Sequence, residues 1–265
     1  MAINFNPGLT AGSINTLNSV QRSSETNYQQ LSTGQRINSA ADNAAGLSIA
    51  TRIDAATRSV QQALRNANDG ISMLQVADGA LSQSTDILQR MRELTIQSAN
   101  DTYGDSDRKT IDKEFNQLAQ ELGRTQEGAE FNGRSLFSDE SISLQVGEKP
   151  SDILGITFGE SNFTSLQNAG NLSTEERLAA IDNALTSVQD KQASLGATIN
   201  RLDYAAENLS SSIQSSTEAN SRIMDTDYAA ASTERAKLDL QERVGIALLT
   251  QANADRSNVL RLLGS

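Results

Sequence analysis

Apolar residues recur in the second half of the chain with the spacing of a coiled coil. Between Ile181 and Ile213 they alternate in steps of four and three, with one polar interruption. Such a stripe predicts a long helix that buries one face against another helix. Its members are Ile181, Leu185, Val188, Gln192, Leu195, Ile199, Leu202, Ala206, Leu209 and Ile213.

A weaker stripe with the same steps runs through the first arm of the chain. Some of its positions are polar, and Gly34 interrupts it. The segment Ser39–Asp42 resembles a capping box, so a second helix is predicted from there to about Asp101. The stripe consists of Ile14, Leu17, Gln21, Ser24, Tyr28 and Leu31.

The remainder of the chain is also predicted to be mainly helical. Pro7 and Pro150 are the only prolines, so the strongest helix breaker is missing from long stretches. A third helix is predicted over about residues 106–122. Helix resumes near Thr174 and continues to the C-terminus, with a break around Thr226.

Between these helices lies a region, within residues 130–165, that is rich in glycine and phenylalanine. Ser141–Val146 alternates polar and apolar residues, Gly147–Pro150 has the composition of a turn, and Ile153–Phe158 is a second short apolar run. This pattern predicts a β-hairpin. Because an isolated hairpin is unstable, we expect Phe131 and Phe137 to dock it on the helices.

The last arm of the chain is apolar on every side. Val244–Leu249 and Val259–Leu263 carry large aliphatic residues all round the predicted helix. A helix of this kind is buried all round, and the weak stripe of the first arm cannot cover it. The surplus predicts contact with other copies of the chain. A helix-bundle core within one chain is the simpler alternative.

Composition narrows the possible functions further. The chain has no cysteine and no histidine, which removes disulfides, the usual transition-metal ligands and histidine-based catalysis. Nearly all of its net charge of -11 lies in residues 101–190, and no basic stripe is available to bind nucleic acid. No run of residues predicts a membrane span or a cleaved signal peptide. We therefore expect a protein that is not an enzyme and has no cofactor or metal.

Several segments, in the same order, resemble bacterial flagellin over essentially the whole chain. The resemblance rests on long matches rather than on one short motif. These are LSTGQRINSAADNAAGLSIAT at 31–51, RNANDGISMLQVADGAL at 65–81, LQRMRELTIQSAN at 88–100, FNGRSLF at 131–137, SRIMDTDYAAASTE at 221–234, LTQAN at 249–253 and NVLRLL at 258–263.

The resemblance implies a structural subunit that self-assembles into the bacterial flagellar filament for motility. Residues 1–45 and 222–265 would form an inner terminal coiled-coil domain, with a connecting spoke at 34–45, and residues 46–221 an outer rod domain. The subunit would leave the cell by flagellar type III export and end in the extracellular filament. Its implied partners are other copies of itself, an export chaperone, the filament cap and the hook–filament junction proteins.

Two sets of contact residues are predicted. The interface between subunits would use Ile14, Leu17, Leu31, Val244, Ile246, Leu248, Leu249, Val259, Leu260, Leu262 and Leu263. Four further residues resemble the flagellin surface recognised by a vertebrate Toll-like receptor, and packing between protofilaments is an alternative role for them. These are Gln89, Arg90, Leu94 and Glu114.

Two other functions are compatible with long helical arms. A hook–filament junction protein shares terminal similarity with flagellin but is not expected to form long filaments. A soluble coiled-coil adaptor or chaperone would form a discrete oligomer with fully helical ends. Circular dichroism separates these cases, because the filament hypothesis requires helicity to rise on assembly.

Overall fold

The structure is a computed structural model that describes residues 7–159, 163, 166 and 172–263, without the side chains of 7–11, 255–256 and 258–263. It is mainly α-helical with two small antiparallel hairpins, which confirms the predicted fold class. The helices are α1 Pro7–Thr33, α2 Ala40–Ser98, α3 Asp105–Glu127, α4 Thr174–Met224 and α5 Tyr228–Leu263. The strands are β1 Glu130–Phe131, β2 Arg134–Ser135, β3 Ile142–Gln145 and β4 Ile153–Ile156.

The chain divides into two compact units. The terminal unit comprises Met1–Ala55 and Ser215–Ser265, and the central unit comprises Ala56–Gln214.

The core of the central unit is built on the stripe that the sequence predicts in α4. Ile181, Val188 and Leu202 are fully buried, and Leu185 and Ile199 are half-buried against the same cluster. The other helices contribute fully buried side chains to this core, namely Leu74, Leu81, Leu88 and Met91 from α2 and Phe115 and Leu122 from α3. The prediction that the α4 stripe is buried against other helices is therefore confirmed over these positions.

The helix α3 is longer than predicted, and a short hairpin follows it. Gly123 lies inside α3, which continues to Glu127. β1 and β2 then pair across Asn132 and Gly133, which both have positive φ, at 52° and 77°. This is the conformation that Asn-Gly favours in a two-residue hairpin turn. The prediction overlooked this hairpin, although its Asn-Gly signal is present in the sequence.

The second hairpin lies where the sequence predicts it, and it is docked on the helices. Leu144 of β3 pairs with Leu154 of β4, and the buried Leu154 belongs to the core cluster. Asn66 of α2 donates its side-chain N–H to the carbonyl of Gln145 at 3.0 Å. At Gly70 a Cβ would collide with the side chain of Leu144, so glycine allows the close approach of β3 to α2.

Phenylalanines complete this docking, as expected. Phe137 is buried and meets Phe158 edge to face, with ring centroids 6.2 Å apart. Phe131 is half-buried against the same core. Phe131 and Phe137 supply large apolar area of the kind that a hairpin of this size needs for stability.

The start of α2 is fixed by two successive polar caps. The Asp42 carboxylate accepts hydrogen bonds from the backbone N–H groups of Ser39 at 2.8 Å and Asn38 at 3.0 Å. Asn43 then leaves the helical conformation, and its side-chain oxygen accepts from Gly46 N–H at 2.8 Å. The Asp42 half of the predicted capping box is formed, while the Ser39 hydroxyl donates to Asp42 instead of capping the backbone.

Acid is expected to weaken this cap. The backbone hydrogen bonds from Ser39 and Asn38 hold the pKa of Asp42 below its ordinary value of 3.8. A carboxylate whose folded-state pKa is depressed stabilises the fold above its unfolded-state pKa and loses this effect as pH falls through the lowered value. We expect an NMR titration of the Ser39 amide to show a midpoint below 3.8. In Asp42→Asn this titration should disappear, and a midpoint at or above 3.8 would contradict the cap.

Candidate functional site

The terminal unit is built on the pairing of α1 with α5, which run antiparallel. Asn27 of α1 lies against Ala231 of α5, and Leu17 approaches Gly245 further along both helices. The two helices pack against each other along this line. A Cβ at Gly245 would lie 3.2 Å from the Leu17 side chain, so a glycine here lets the helices come close.

The buried face of α1 differs from the predicted stripe by one residue at alternate positions. Leu17 and Leu31 face the partner helix and are half-buried, as expected. Val20 and Asn27 are buried there instead of Gln21 and Tyr28. The inward stripe therefore reads Ser13, Leu17, Val20, Ser24, Asn27 and Leu31. This rotation leaves Ile14 48% exposed, so the prediction that Ile14 and Tyr28 lie in the seam is wrong.

Polar contacts explain the rotation. The Asn27 side-chain N–H donates to the carbonyl of Ala231 at 3.0 Å. Tyr28 lies at the rim of the pair. The guanidinium of Arg235 lies over its ring, 5.0 Å from the centroid, in a cation–π contact. The Tyr228 hydroxyl donates to the carbonyl of Leu31 at 2.9 Å. These contacts depend on the three-dimensional partner and cannot be read from the hydrophobic spacing of α1.

Asn27 is an expensive residue to place in this seam. It is 6% exposed, and its side-chain oxygen has no hydrogen-bond partner among the residues that the structure describes. A buried acceptor left in this state costs about 1–3 kcal/mol. Asn27 therefore gives the α1–α5 pair one hydrogen bond that aligns the helices, and it also costs free energy because its side-chain oxygen is buried without a partner among the described residues.

The connectors at the base of the pair are hydrogen-bonded to each other. Gly34, with φ of 71°, accepts a hydrogen bond at its carbonyl from Thr226 N–H at 2.9 Å. Arg36 donates its backbone N–H to the Met224 carbonyl and its guanidinium to the Ile223 carbonyl, both at 2.6 Å. A cation on the last carbonyls of a helix stabilises its C-terminus. The break near Thr226 that the sequence predicts is this connector between α4 and α5.

A groove of about 790 Å³ runs between the distal parts of α1 and α5. Its apolar lining comes from Leu17, Val20, Leu238, Leu240, Val244 and Leu248. Only Val20 and Leu238 of these are buried, whereas Leu240 is 63% and Leu248 59% exposed. α5 thus carries large aliphatic side chains that α1 leaves uncovered within the described part of the chain.

The predicted interface residues fall into three groups. Ile14, Val244, Ile246 and Leu248 are exposed. Leu17, Leu31 and Leu249 are half-buried. Val259, Leu260, Leu262 and Leu263 belong to the last part of α5, where side chains lie outside the described residues. The sequence did not single out Leu240, although its exposed side chain belongs to the same groove.

The second predicted patch lies on α2 and α3 of the central unit. Arg90 donates to Glu114 at 2.9 Å and to Glu93 at 3.1 Å, and these hydrogen bonds raise the pKa of Arg90. Gln89 is exposed beside it. Leu94 is only 1% exposed, because its side of α2 faces inward. Placing Leu94 on a contact surface is therefore wrong for the folded subunit.

Chemistry of other kinds finds little support in the described residues. Among them, no three histidine, cysteine, aspartate or glutamate side chains come together as metal ligands. Within the same residues, no helix is both long and apolar enough to cross a membrane. The feature that the terminal unit does offer is an uncovered aliphatic helix face.

Comparison with known proteins identifies the family. The model of the bacterial flagellin N-terminal helical region matches residues 9–141, and that of the C-terminal helical region matches 178–263. A flagellin of Halalkalibacterium halodurans is 36% identical over 244 residues, which cover 89% of this chain and 90% of the relative.

Solved structures agree with this assignment. The crystal structure of Bacillus cereus flagellin is 29% identical, with a TM-score of 0.50, over 55% of this chain and 88% of that one. A candidate flagellar hook-associated protein of Vibrio parahaemolyticus has a TM-score of 0.61 over 69% of this chain and 100% of its own. At 13% identity, the second match shows a shared fold only.

The described residues form a mainly α-helical protein whose terminal helices pair and leave an aliphatic face of α5 exposed. The matched regions and the relatives show to which family this helical protein belongs. The chain belongs to the bacterial flagellin family. It is a structural subunit of the flagellar filament, which serves motility, and the hook–filament junction and adaptor alternatives are not favoured.

Proposed function

We propose that copies of this flagellin contact one another in the filament through the exposed aliphatic face of α5 together with Ile14 of α1. The observation that supports this is the row of Leu240, Val244 and Leu248, which remains exposed although α5 is paired with α1. Removing such side chains from water contributes about 25 cal/mol per Å² of apolar surface. Leu17 is half-buried and lines the same groove, and Leu31 and Leu249 are half-buried elsewhere in the pair.

Assembly and folding of the terminal helices are then coupled. Fixing each residue of α1 or α5 costs about 1–2 kcal/mol of backbone entropy. Two neighbouring helices that bury few large side chains between them barely offset such a cost. The lone subunit therefore keeps these helices largely open, and contact with neighbouring copies supplies the missing burial. The sequence-based prediction that Val259, Leu260, Leu262 and Leu263 also belong to the interface between subunits is part of this proposal.

We assign the inner part of the filament to residues 1–45 and 222–265 and its outer part to 46–221. Charge supports this arrangement, because the terminal segments are nearly neutral and the acidic excess lies in residues 101–190. Solvated carboxylates favour an outer position, whereas a neutral surface rich in small residues is suited to close packing.

Further partners follow from the same assignment. The subunit would leave the cell through the flagellar type III apparatus with the help of an export chaperone, add to the filament beneath its cap and meet the hook–filament junction proteins at its base. It would act outside the cell and catalyse no reaction. Gln89 and the Arg90–Glu114 pair form a polar patch that fits contact with a neighbouring protofilament, and a vertebrate Toll-like receptor is a second candidate partner for it.

Circular dichroism of the same preparation before and after assembly tests the proposal. We expect helicity at 222 nm to rise on seeded polymerisation, because α1 and α5 become ordered only in the filament. Electron microscopy should show long filaments after seeding. A discrete oligomer with unchanged helicity would indicate an adaptor, and short caps without long filaments would indicate a junction protein.

A further inference from the structure

Asn27 has an unusual position for an amide side chain. It lies in the buried seam between α1 and the first turn of α5, 6% exposed, and only its N–H has a partner, the carbonyl of Ala231 at 3.0 Å. Its oxygen is buried without a hydrogen-bond partner among the described residues. Water would solvate the whole amide if the two helices separated, so the penalty falls on the paired state alone.

The inward stripe of α1 contains other polar side chains besides Asn27. Ser13 and Ser24 belong to the inward stripe and are half-buried, whereas Val20 and Leu238 are the large apolar side chains that are buried in the pair. Meanwhile, Val244 and Leu248 of α5 remain outside the seam. The pair therefore buries few large apolar side chains and leaves others on α5 exposed for an external contact.

Asn27 nevertheless aligns the helices. Its bond to Ala231 can form in one rotation and one register of α1 against α5. The Tyr28–Arg235 and Leu31–Tyr228 contacts require the same alignment. A single polar residue in a coiled-coil seam specifies register at a cost in stability, and Asn27 has both properties.

We propose that Asn27 is a specificity residue that keeps the terminal helices of the lone subunit from pairing stably, while it dictates how they pair once neighbouring copies cover α5. This inference rests on the proposed function, since a second copy of the chain is the agent that completes the pairing. The polar seam position thereby links the ordering of α1 and α5 to polymer growth.

Hydrogen exchange of the full-length lone subunit in dilute solution tests the role of Asn27. Exchange of local amides follows the opening equilibrium of the segment that contains them. In Asn27→Leu we expect amides of residues 12–33 and 228–250 to exchange at least about tenfold more slowly than in the unchanged protein. Asn27→Met, with a more adaptable side chain, should shift exchange in the same direction if the leucine variant precipitates.

Asn18→Leu is the matched control, because Asn18 is an exposed asparagine of the same helix. It should leave exchange unchanged. Equal exchange in Asn27→Leu, Asn27→Met and the unchanged protein would overturn the inference, as would terminal helices already protected to the level of the central unit. Filament growth by the unchanged protein is measured separately, and its absence would refute the proposed function whatever the exchange result.

Discussion

Replacing Val244 and Leu248 together by aspartate is expected to abolish long filaments while the central unit stays folded. Both side chains are exposed in the single subunit, so two carboxylates there meet water and cost little. In the filament the same positions would be covered, and an unpaired buried charge costs several kcal/mol. Because each 1.4 kcal/mol is a factor of ten, the critical concentration should rise by about a thousandfold or more. Electron microscopy and sedimentation after seeding measure this.

Leu238→Asp is the informative comparison for that variant. Leu238 lies on the same helix and in the same groove but is 5% exposed, facing α1. Its replacement places a carboxylate inside the α1–α5 pair instead of on the outer face of α5, so long filaments should be lost here as well. Normal filaments from the Val244→Asp, Leu248→Asp double variant would exclude this face of α5 as the assembly surface.

The sequence predicts α4 well because spacing alone decides which of its faces is buried. Ile181, Val188 and Leu202 recur on one side and are buried, and Gln192 is the one polar residue of that stripe. The first arm lacks this advantage. Its apolar residues are too few to fix a rotation, and hydrogen bonding of Asn27 to a carbonyl on another helix decides it instead. A one-residue rotation then moves Ile14 from the predicted seam to the surface.

Two other differences have equally local causes. The β1–β2 hairpin has strands of two residues, too short for a period-two pattern, and only Asn132-Gly133 marks it. Leu94 belongs to a segment whose resemblance suggests a contact surface, yet its place on α2 sends the side chain inward. Val244, Ile246 and Leu248 were predicted as contact residues because the helix that bears them is apolar on every side, and their role in contacts between subunits stays a prediction. Which of its faces would remain uncovered depends on the pairing with α1.

Arg177→Ala is expected to destabilise the central unit by about 2–3 kcal/mol. Arg177 lies near the start of α4 with a side chain 9% exposed, and it donates to Asp112 of α3 at 2.6 Å. Its guanidinium also lies 5.3 Å from the centroid of the Phe115 ring. Truncating the Arg177 side chain removes the ion pair, the cation–π contact and the packing of the apolar stem at once. Asp112 is partly exposed and stays partly hydrated, which limits the cost of losing its partner. Thermal unfolding should shift down by roughly 5–10 °C.

Arg92→Ala separates the effect of burial from that of charge. Arg92 joins α2 to Asp182 of α4 at 3.0 Å, but both side chains are about half exposed. A solvated pair of this kind is worth under about 1 kcal/mol, so its loss should hardly change the unfolding temperature. Arg177→Met should fall between the two, because an unbranched apolar chain still covers Phe115 while Asp112 loses its partner. If Arg177→Ala and Arg92→Ala are equally mild, the Arg177 contact is peripheral and helix burial alone holds α4 on α3.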